Sequence, residues 1–231
     1  MSIDVIIPWA GNCVYRLSAR SYVESRWRSG GFNVIVGEID EPWVKSLAVR
    51  QALLSSTADT LVITDGDVWS DAAIEAACTV DDGGTWAVPF STVRRLMAPA
   101  SQAVIDGGPI EGTLAKAPFR AVPGGGLLIL TRELYDRCPL DPRFVGWGHE
   151  DEAWGQGLTM LAGRPRMWNT PLWHLWHPPQ FRGATPERFE SQEMRARYLM
   201  ARRSRDQMEL IVSEARDLLK VVISNDGLPP D

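Results

Sequence analysis

The stretch DTLVITDGDVW, residues 59–69, decides the fold. Leu61, Val62 and Ile63 form an apolar run that ends in Asp65-Gly66-Asp67. A short apolar run stopped by turn residues suits a strand buried on both faces. Upstream, PWVKSLAVRQALLSSTA (42–58) has amphipathic helical spacing, and NVIVGEID (33–40) reads as a second strand. SARSYVESRWRSGGF (18–32) is helical and closes on Gly30-Gly31, while DVIIPW (4–9) is a first strand stopped near a proline. Strand–helix–strand–helix–strand at this spacing predicts a doubly wound α/β start with a mostly parallel sheet. Ligands of such sheets bind beyond the strand C-terminal ends, where Pro8, Gly37 and Asp65 fall.

Downstream, SDAAIEAAC (70–78) predicts a helix and TWAVPF (85–90) a strand. Ser91 to Pro123, with its glycines and prolines, is expected to be irregular and to serve as an acceptor or lid loop. GGGLLILTRELYDRC (124–138) gives a strand and then a short helix opened by Thr131. HEDEAWGQGLTMLAG (149–163) is a helix with its carboxylates in the first turn. RPRMWNTPLWHLWHPP (164–179) is a short strand leading to two histidines, and residues 186–220 are charged and helical. No internal repeat or low-complexity tract is present.

A chain of 231 residues that is 45% hydrophobic can fill one large core or two small ones. Its net charge of −5 argues against a wholly basic nucleic-acid binder. Cys13, Cys78 and Cys138 form no CxxC pair, so a disulfide scaffold or zinc ribbon is not expected and a reducing cytoplasm is. MSIDVIIPWAG reads as a strand rather than a signal peptide. No run approaches the ~18 apolar residues of a membrane span, so no membrane partner is expected. Arginine outnumbers lysine 21 to 3.

Three segments carry the chemistry. Asp65 and Asp67 stand two apart at a strand end, with Gly66 permitting a bend, and two such carboxylates suit a hard divalent cation. WHLWH adds His174 and His177 near the end of the sheet. FVGWGHEDEAWGQG (144–157) packs acids, tryptophans and glycines together, and clustered acids need a cation, a proton or a helix N-terminus to offset them. Gly124 to Gly126, before an apolar strand, would let backbone approach a ligand closely.

In this order the segments resemble the GT-A fold nucleotide-sugar glycosyltransferases. The likeness is to the branch with polypeptide N-acetylgalactosaminyltransferases, β-galactosyltransferases and chondroitin polymerase domains, over roughly residues 3 to 180. The family's acidic motif reads W-G-G-E-D or W-G-G-E-N; here it is Trp147, Gly148, His149, Glu150, Asp151, with His149 in place of a glycine. The resemblance implies a Rossmann-like mixed, mostly parallel sheet flanked by helices. A catalytic domain would span 1–185, with a helical C-terminal extension, 186–231, packed on it.

The resemblance also implies the roles. Asp65 and Asp67 would hold Mn²⁺ or Mg²⁺ and meet the ribose and diphosphate of the donor, with a late histidine completing the shell, His174 favoured over His177. Gly125 and Gly126 would line the donor sugar. Pro8, Trp9, Arg16 and Trp147 would flank the nucleotide sugar, with Arg50 a further candidate. Glu150 would hydrogen-bond sugar or acceptor and Asp151 would be the general base. Aspartate after glutamate goes with inversion in these families, asparagine with retention. Trp147, Trp154 or Trp173 offer flat faces for a sugar.

The expected activity is metal-dependent transfer of a sugar from a nucleotide sugar, a UDP-sugar by this likeness, to a hydroxyl. The acceptor could be a sugar, a protein, a small molecule or modified nucleic acid. A nucleotidyltransferase fits less well, because PWAGNCVYR lacks the Gly-rich basic loop of that class. A non-catalytic sugar- or nucleic-acid-binding module is the other alternative, with arginine-rich RFESQEMRARYLMARRSR (188–205) as a phosphate-binding helix.

Overall fold

The computed structural model describes residues 2–179 and 186–226. Strand β1 (Ile3–Trp9) is buried from Asp4 onward and lies between β2 (Asn33–Glu38) and β3 (Thr60–Thr64), parallel to both. Helix α1 (Val14–Ser29) buries Arg16, Ala19, Val23 and Trp27, a spacing that puts one stripe against the sheet. Helix α2 (Lys45–Leu53) lies directly on β2. A Cβ at Gly37 would sit 1.9 Å from the Ala48 carbonyl oxygen, so only glycine allows that approach.

The larger sheet has the order β2-β1-β3-β8-β5-β9, with β5 (Trp86–Val88), β8 (Leu127–Thr131) and β9 (Arg166–Met167). Strand β8 is antiparallel to both neighbours, and the other strands share one direction. The sheet is thus mixed and mostly parallel, flanked by helices, as the sequence predicts. Helix α3 (Ala73–Asp81) packs near β3, β5 and β8, and α5 (Arg132–Arg137) is capped by the Thr131 hydroxyl, which accepts from the Leu134 amide at 3.2 Å.

Residues 91–123 depart from expectation. They form β6 (Thr92–Arg95), α4 (Ala98–Ile105) and β7 (Phe119–Arg120) rather than an irregular loop. With β4 (Val68–Trp69) and β10 (Pro171–His174) they make a second sheet, β4-β10-β6-β7. Its strands are two to four residues long and find their partners far along the chain. No local period reports such a sheet, because tertiary pairing makes it.

Helix α6 (Glu150–Ala162) carries the acids in its first turn, as expected, and meets α7 (Pro186–Ala201) and α8 (Arg205–Asp226). Buried Asp141 accepts from the Tyr198 hydroxyl at 3.0 Å and pairs with Arg143, which also reaches Glu214. Among the described residues no helix is long and apolar enough to cross a membrane.

Candidate active site

The C-terminal ends of β1 and β3, the start of α2, the turn before β8 and the start of α6 converge. Asp65 follows β3 directly, and its amide donates to the Gly126 carbonyl at 2.7 Å. Gly66 lies under Trp9, whose ring is 3.1 Å from where a Cβ would stand. The Asp67 carbonyl accepts from the Leu175 amide at 2.8 Å, which ties the acidic turn to the end of β10.

The loop into α6 needs left-handed backbone. Gly146, Gly148 and His149 have φ of 81°, 110° and 76°. His149 is the one non-glycine with positive φ among the described residues, a conformation that costs a side-chain-bearing residue on the order of 1 kcal/mol or more. This bend aims Glu150 and Asp151 back at the sheet. The glycines before β8 then serve as a seam for α6: a Cβ on Gly124 would stand 1.9 Å from the Asp151 carbonyl oxygen. One on Gly125 would stand 2.7 Å from Asp151 Oδ2, and one on Gly126 would meet Leu172 at 2.6 Å.

Lys45, the first residue of α2, binds two of the acids. Its Nζ lies 2.8 Å from Asp65 Oδ1 and 2.9 Å from Asp151 Oδ1, and its side chain is only 7% exposed. Burial alone lowers an ammonium pKa, yet the carboxylates of Asp151, Asp65 and Glu150 outweigh it, and Lys45 sits well above its ordinary value. Burial raises Asp65, with Lys45 offsetting part of the shift and Asp151 and Asp67 adding to it. Glu150 is buried and its Oε2 has no hydrogen-bond partner among the described residues. Burial, then the negative charge of Asp151, pushes its carboxyl up to about 8. At neutral pH Glu150 therefore chiefly holds a proton, and Lys45 makes its close contacts with Asp65 and Asp151 instead.

Sequence reasoning missed Lys45. A readable signal existed: a cation in the first turn of a helix opposes the helix dipole and needs an anion elsewhere.

A second group is formed by Asp67, His174 and His177, whose ligand atoms all lie within 4.8 Å of one another. His177 Nε2 is 3.3 Å from Asp67 Oδ2, and its Nδ1 lies 2.7 Å from the Pro178 carbonyl. A proton on Nδ1 donated to that carbonyl leaves Nε2 with its lone pair toward Asp67, the usual support for a metal-binding imidazole. Asp65 stands outside this trio, engaged by Lys45.

Aromatic and guanidinium planes form a ladder at the end of β1. Trp43 stacks on Trp147 at 5.0 Å and 16°, and Arg16 lies 4.8 Å from the Trp147 ring and 4.7 Å from the Trp9 ring. Arg20 also lies 4.5 Å from the Trp9 ring and pairs with Glu38, and Trp9 and Arg16 are buried. Trp9, Arg16 and Trp147 are thus one unit, with Pro8 beside it in β1, opposite Gly37. Trp154 and Trp173 are not available to a sugar. Both are buried, and the Trp154 indole donates to the Cys138 carbonyl. Much of the arginine-rich segment is also engaged: Arg195 with Glu152, Arg197 with Glu214, and Arg205 with the Met160 and Leu161 carbonyls.

No protein-family model matches the chain, and no curated protein does. Solved structures do. Glucosyl-3-phosphoglycerate synthase from Mycobacterium tuberculosis, in complex with Mg²⁺ and uridine diphosphate, is 14% identical at a TM-score of 0.45, covering 87% of this chain and 79% of that one. The same figures hold for that enzyme with Mn²⁺, UDP-glucose and phosphoglyceric acid. A structure described as a mycobacterial protein is 16% identical at a TM-score of 0.43, covering 87% of this chain and 74% of the other. What the present site can do follows from its own residues.

Proposed function

We propose that this chain is a metal-dependent GT-A glycosyltransferase that moves a sugar from a nucleotide sugar, a UDP-sugar in the first instance, to an acceptor hydroxyl with inversion. The observation that carries the reading is the placement of Asp151, whose carboxylate lies against Gly125 while Asp67, His174 and His177 gather beyond the adjoining strand end. This joins a base to a cation site at the ligand-binding end of an α/β sheet.

The trio fits a divalent cation, because one carboxylate and two imidazoles converge, and with the proton of His177 on Nδ1, toward the Pro178 carbonyl, its Nε2 would be free to ligate. Asp67, His174 and His177 would hold Mn²⁺ or Mg²⁺, and Asp65 would meet the donor. A bound cation supplies Lewis-acid stabilisation of the leaving diphosphate. Asp151 takes the acceptor's hydroxyl proton as the new bond from C1 to the acceptor oxygen forms. The bond from C1 to the phosphate oxygen breaks, and its electron pair leaves with the nucleoside diphosphate. Protonated Glu150 can donate a hydrogen bond to a sugar or acceptor oxygen, which a charged carboxylate cannot. Half-buried Trp147 is the member of the ladder that can meet the nucleotide, backed by buried Trp9, Arg16 and Pro8, and the backbone of Gly125 and Gly126 would line the donor sugar.

We read residues 1–185 as the catalytic part and 186–231 as its helical extension; Arg195–Glu152 and Tyr198–Asp141 support that reading. Residues 180–185 and 227–231 lie outside the described residues. Three free thiols suit a cytoplasmic location. The acceptor is taken to be a small molecule, sugar, protein or modified nucleobase. A panel of nucleotide sugars tests the proposal, each assayed for Mn²⁺-dependent hydrolysis and for thermal stabilisation of the protein. Turnover of one donor that EDTA abolishes is the expected result. Binding of none, with or without Mn²⁺, overturns it.

A further inference from the structure

We infer that Lys45 is a positioning residue for the transfer, holding the Asp151 carboxylate by Oδ1 so that Oδ2, over Gly125, faces the acceptor's proton. The inference rests on the glycosyl-transfer reading above. Asp151 stands in the first turn of α6 with its side chain 39% exposed, so without a tie its carboxylate would sample several rotamers. The tie it has is Lys45, at 2.9 Å to Oδ1, and Oδ2 is the oxygen nearest to where a Gly125 Cβ would be.

Lys45 itself is well held. Helix α2 is seated on β2 by the Gly37–Ala48 approach, and the same ammonium is anchored to Asp65 at 2.8 Å. One cation thereby fixes groups from β3 and α6 relative to α2. The residue type matches the task. An ammonium is a compact charge with three donors, able to serve two carboxylates that arrive from different elements, where a planar guanidinium prefers one carboxylate held in-plane by its donor fork. In a chain with 21 arginines and 3 lysines, this buried point between two acids holds a lysine. A purely structural counter-charge would leave Asp151's orientation, and therefore turnover, indifferent to it.

The test is a double-mutant cycle on Mn²⁺-dependent hydrolysis of the donor found in the panel. Lys45→Met, close in volume, should keep the fold and lower kcat by on the order of 10²-fold or more, with a smaller change in donor KM. Lys45→Met with Asp151→Asn should have the same kcat as Asp151→Asn alone, because the lysine acts on kcat through that aspartate, while loss of its contact with Asp65 appears in donor KM. Ethylammonium should restore part of the kcat of Lys45→Ala and none of that of Asp151→Asn. Wild-type kcat in a folded Lys45→Met, or fully multiplicative losses in the double variant, overturns the inference. A crystal structure of Lys45→Met tests it without any turnover. The Asp151 carboxylate should leave its place over Gly125, and finding it unmoved refutes the positioning role even if no donor is ever hydrolysed, which would instead count against the glycosyl-transfer reading.

Discussion

Asp151 Oδ1 and Lys45 Nζ lie 2.9 Å apart, and they join the first turns of two helices separated by more than a hundred residues. The pairing leaves the other carboxylate oxygen over the Gly125 backbone. Asp151→Asn keeps the shape and the hydrogen-bonding reach of that group but removes its basic lone pair. Turnover should fall by the ~10²–10⁴ that a positioned base supplies, with donor affinity almost unchanged. Steady-state kinetics with a direct donor-binding measurement checks this. Full turnover with a lowered melting temperature would reduce Asp151 to a helix-terminal charge, and a product of retained configuration would remove the inverting mechanism.

Glu150 gives the site a pH signature in stability. An ordinary glutamate titrates near 4.5, and here burial pushes the carboxyl up to about 8. The native state therefore keeps a proton that the unfolded chain releases, and the stabilisation is complete below the unfolded value. It is lost as pH rises through about 8. Glu150→Gln lacks this dependence. Denaturant unfolding of both proteins should show wild type losing stability relative to the Gln variant between about pH 5 and about pH 8, by up to a few kcal/mol. Parallel curves for the two proteins would mean that Glu150 is not held protonated.

The donor set sets the metal preference. Two imidazoles and one carboxylate favour Mn²⁺ or Co²⁺ over Mg²⁺, which prefers oxygen ligands in near-ideal octahedral order. Calorimetry should find Mn²⁺ bound more tightly than Mg²⁺. Asp67→Ala, His174→Ala and His177→Ala should each weaken Mn²⁺ by at least ~10-fold, since even supporting groups of such sites contribute that much. Undiminished Mn²⁺ binding in His177→Ala would take that residue out of the shell and leave the single late histidine of the family pattern.

Much of this was legible in the residues. The βαβαβ start, the sheet class and the acid-bearing start of α6 were readable because long periodic runs and a first-turn acid cluster report themselves locally. Asp67, His174 and His177 were readable as chemistry by residue type, though only β4 and β10 pairing shows that they meet. The second sheet was not legible, since strands of two to four residues carry no period. Trp154 and Trp173 misled for the opposite reason: a tryptophan beside acids or histidines looks like a platform, and only tertiary packing shows it buried. At Lys45 the local sequence signals only a helix-start cation in need of an anion, and which acids supply it, Asp65 and Asp151, is set by contacts far from it in sequence.

The glycine seam between α6 and the turn before β8 separates stability from catalysis. A Cβ on Gly155 would stand 1.7 Å from the Pro123 carbonyl oxygen, and backbone cannot step aside, so Gly155→Ala should prise α6 from the seam and lower the melting temperature sharply. A Cβ on Gly125 meets a different obstacle, the Asp151 carboxylate at 2.7 Å, a side chain tied by Lys45 rather than a backbone group. Gly125→Ala should therefore lose less stability than Gly155→Ala while turning the carboxylate away from its place. Its kcat should fall by on the order of 10-fold to 100-fold, with Mn²⁺ affinity unchanged because Asp67, His174 and His177 are untouched. Melting curves, Mn²⁺ titration and turnover on the two variants decide the matter. A Gly125→Ala protein that is as active as wild type would show that the oxygen over Gly125 is not the one that accepts the proton.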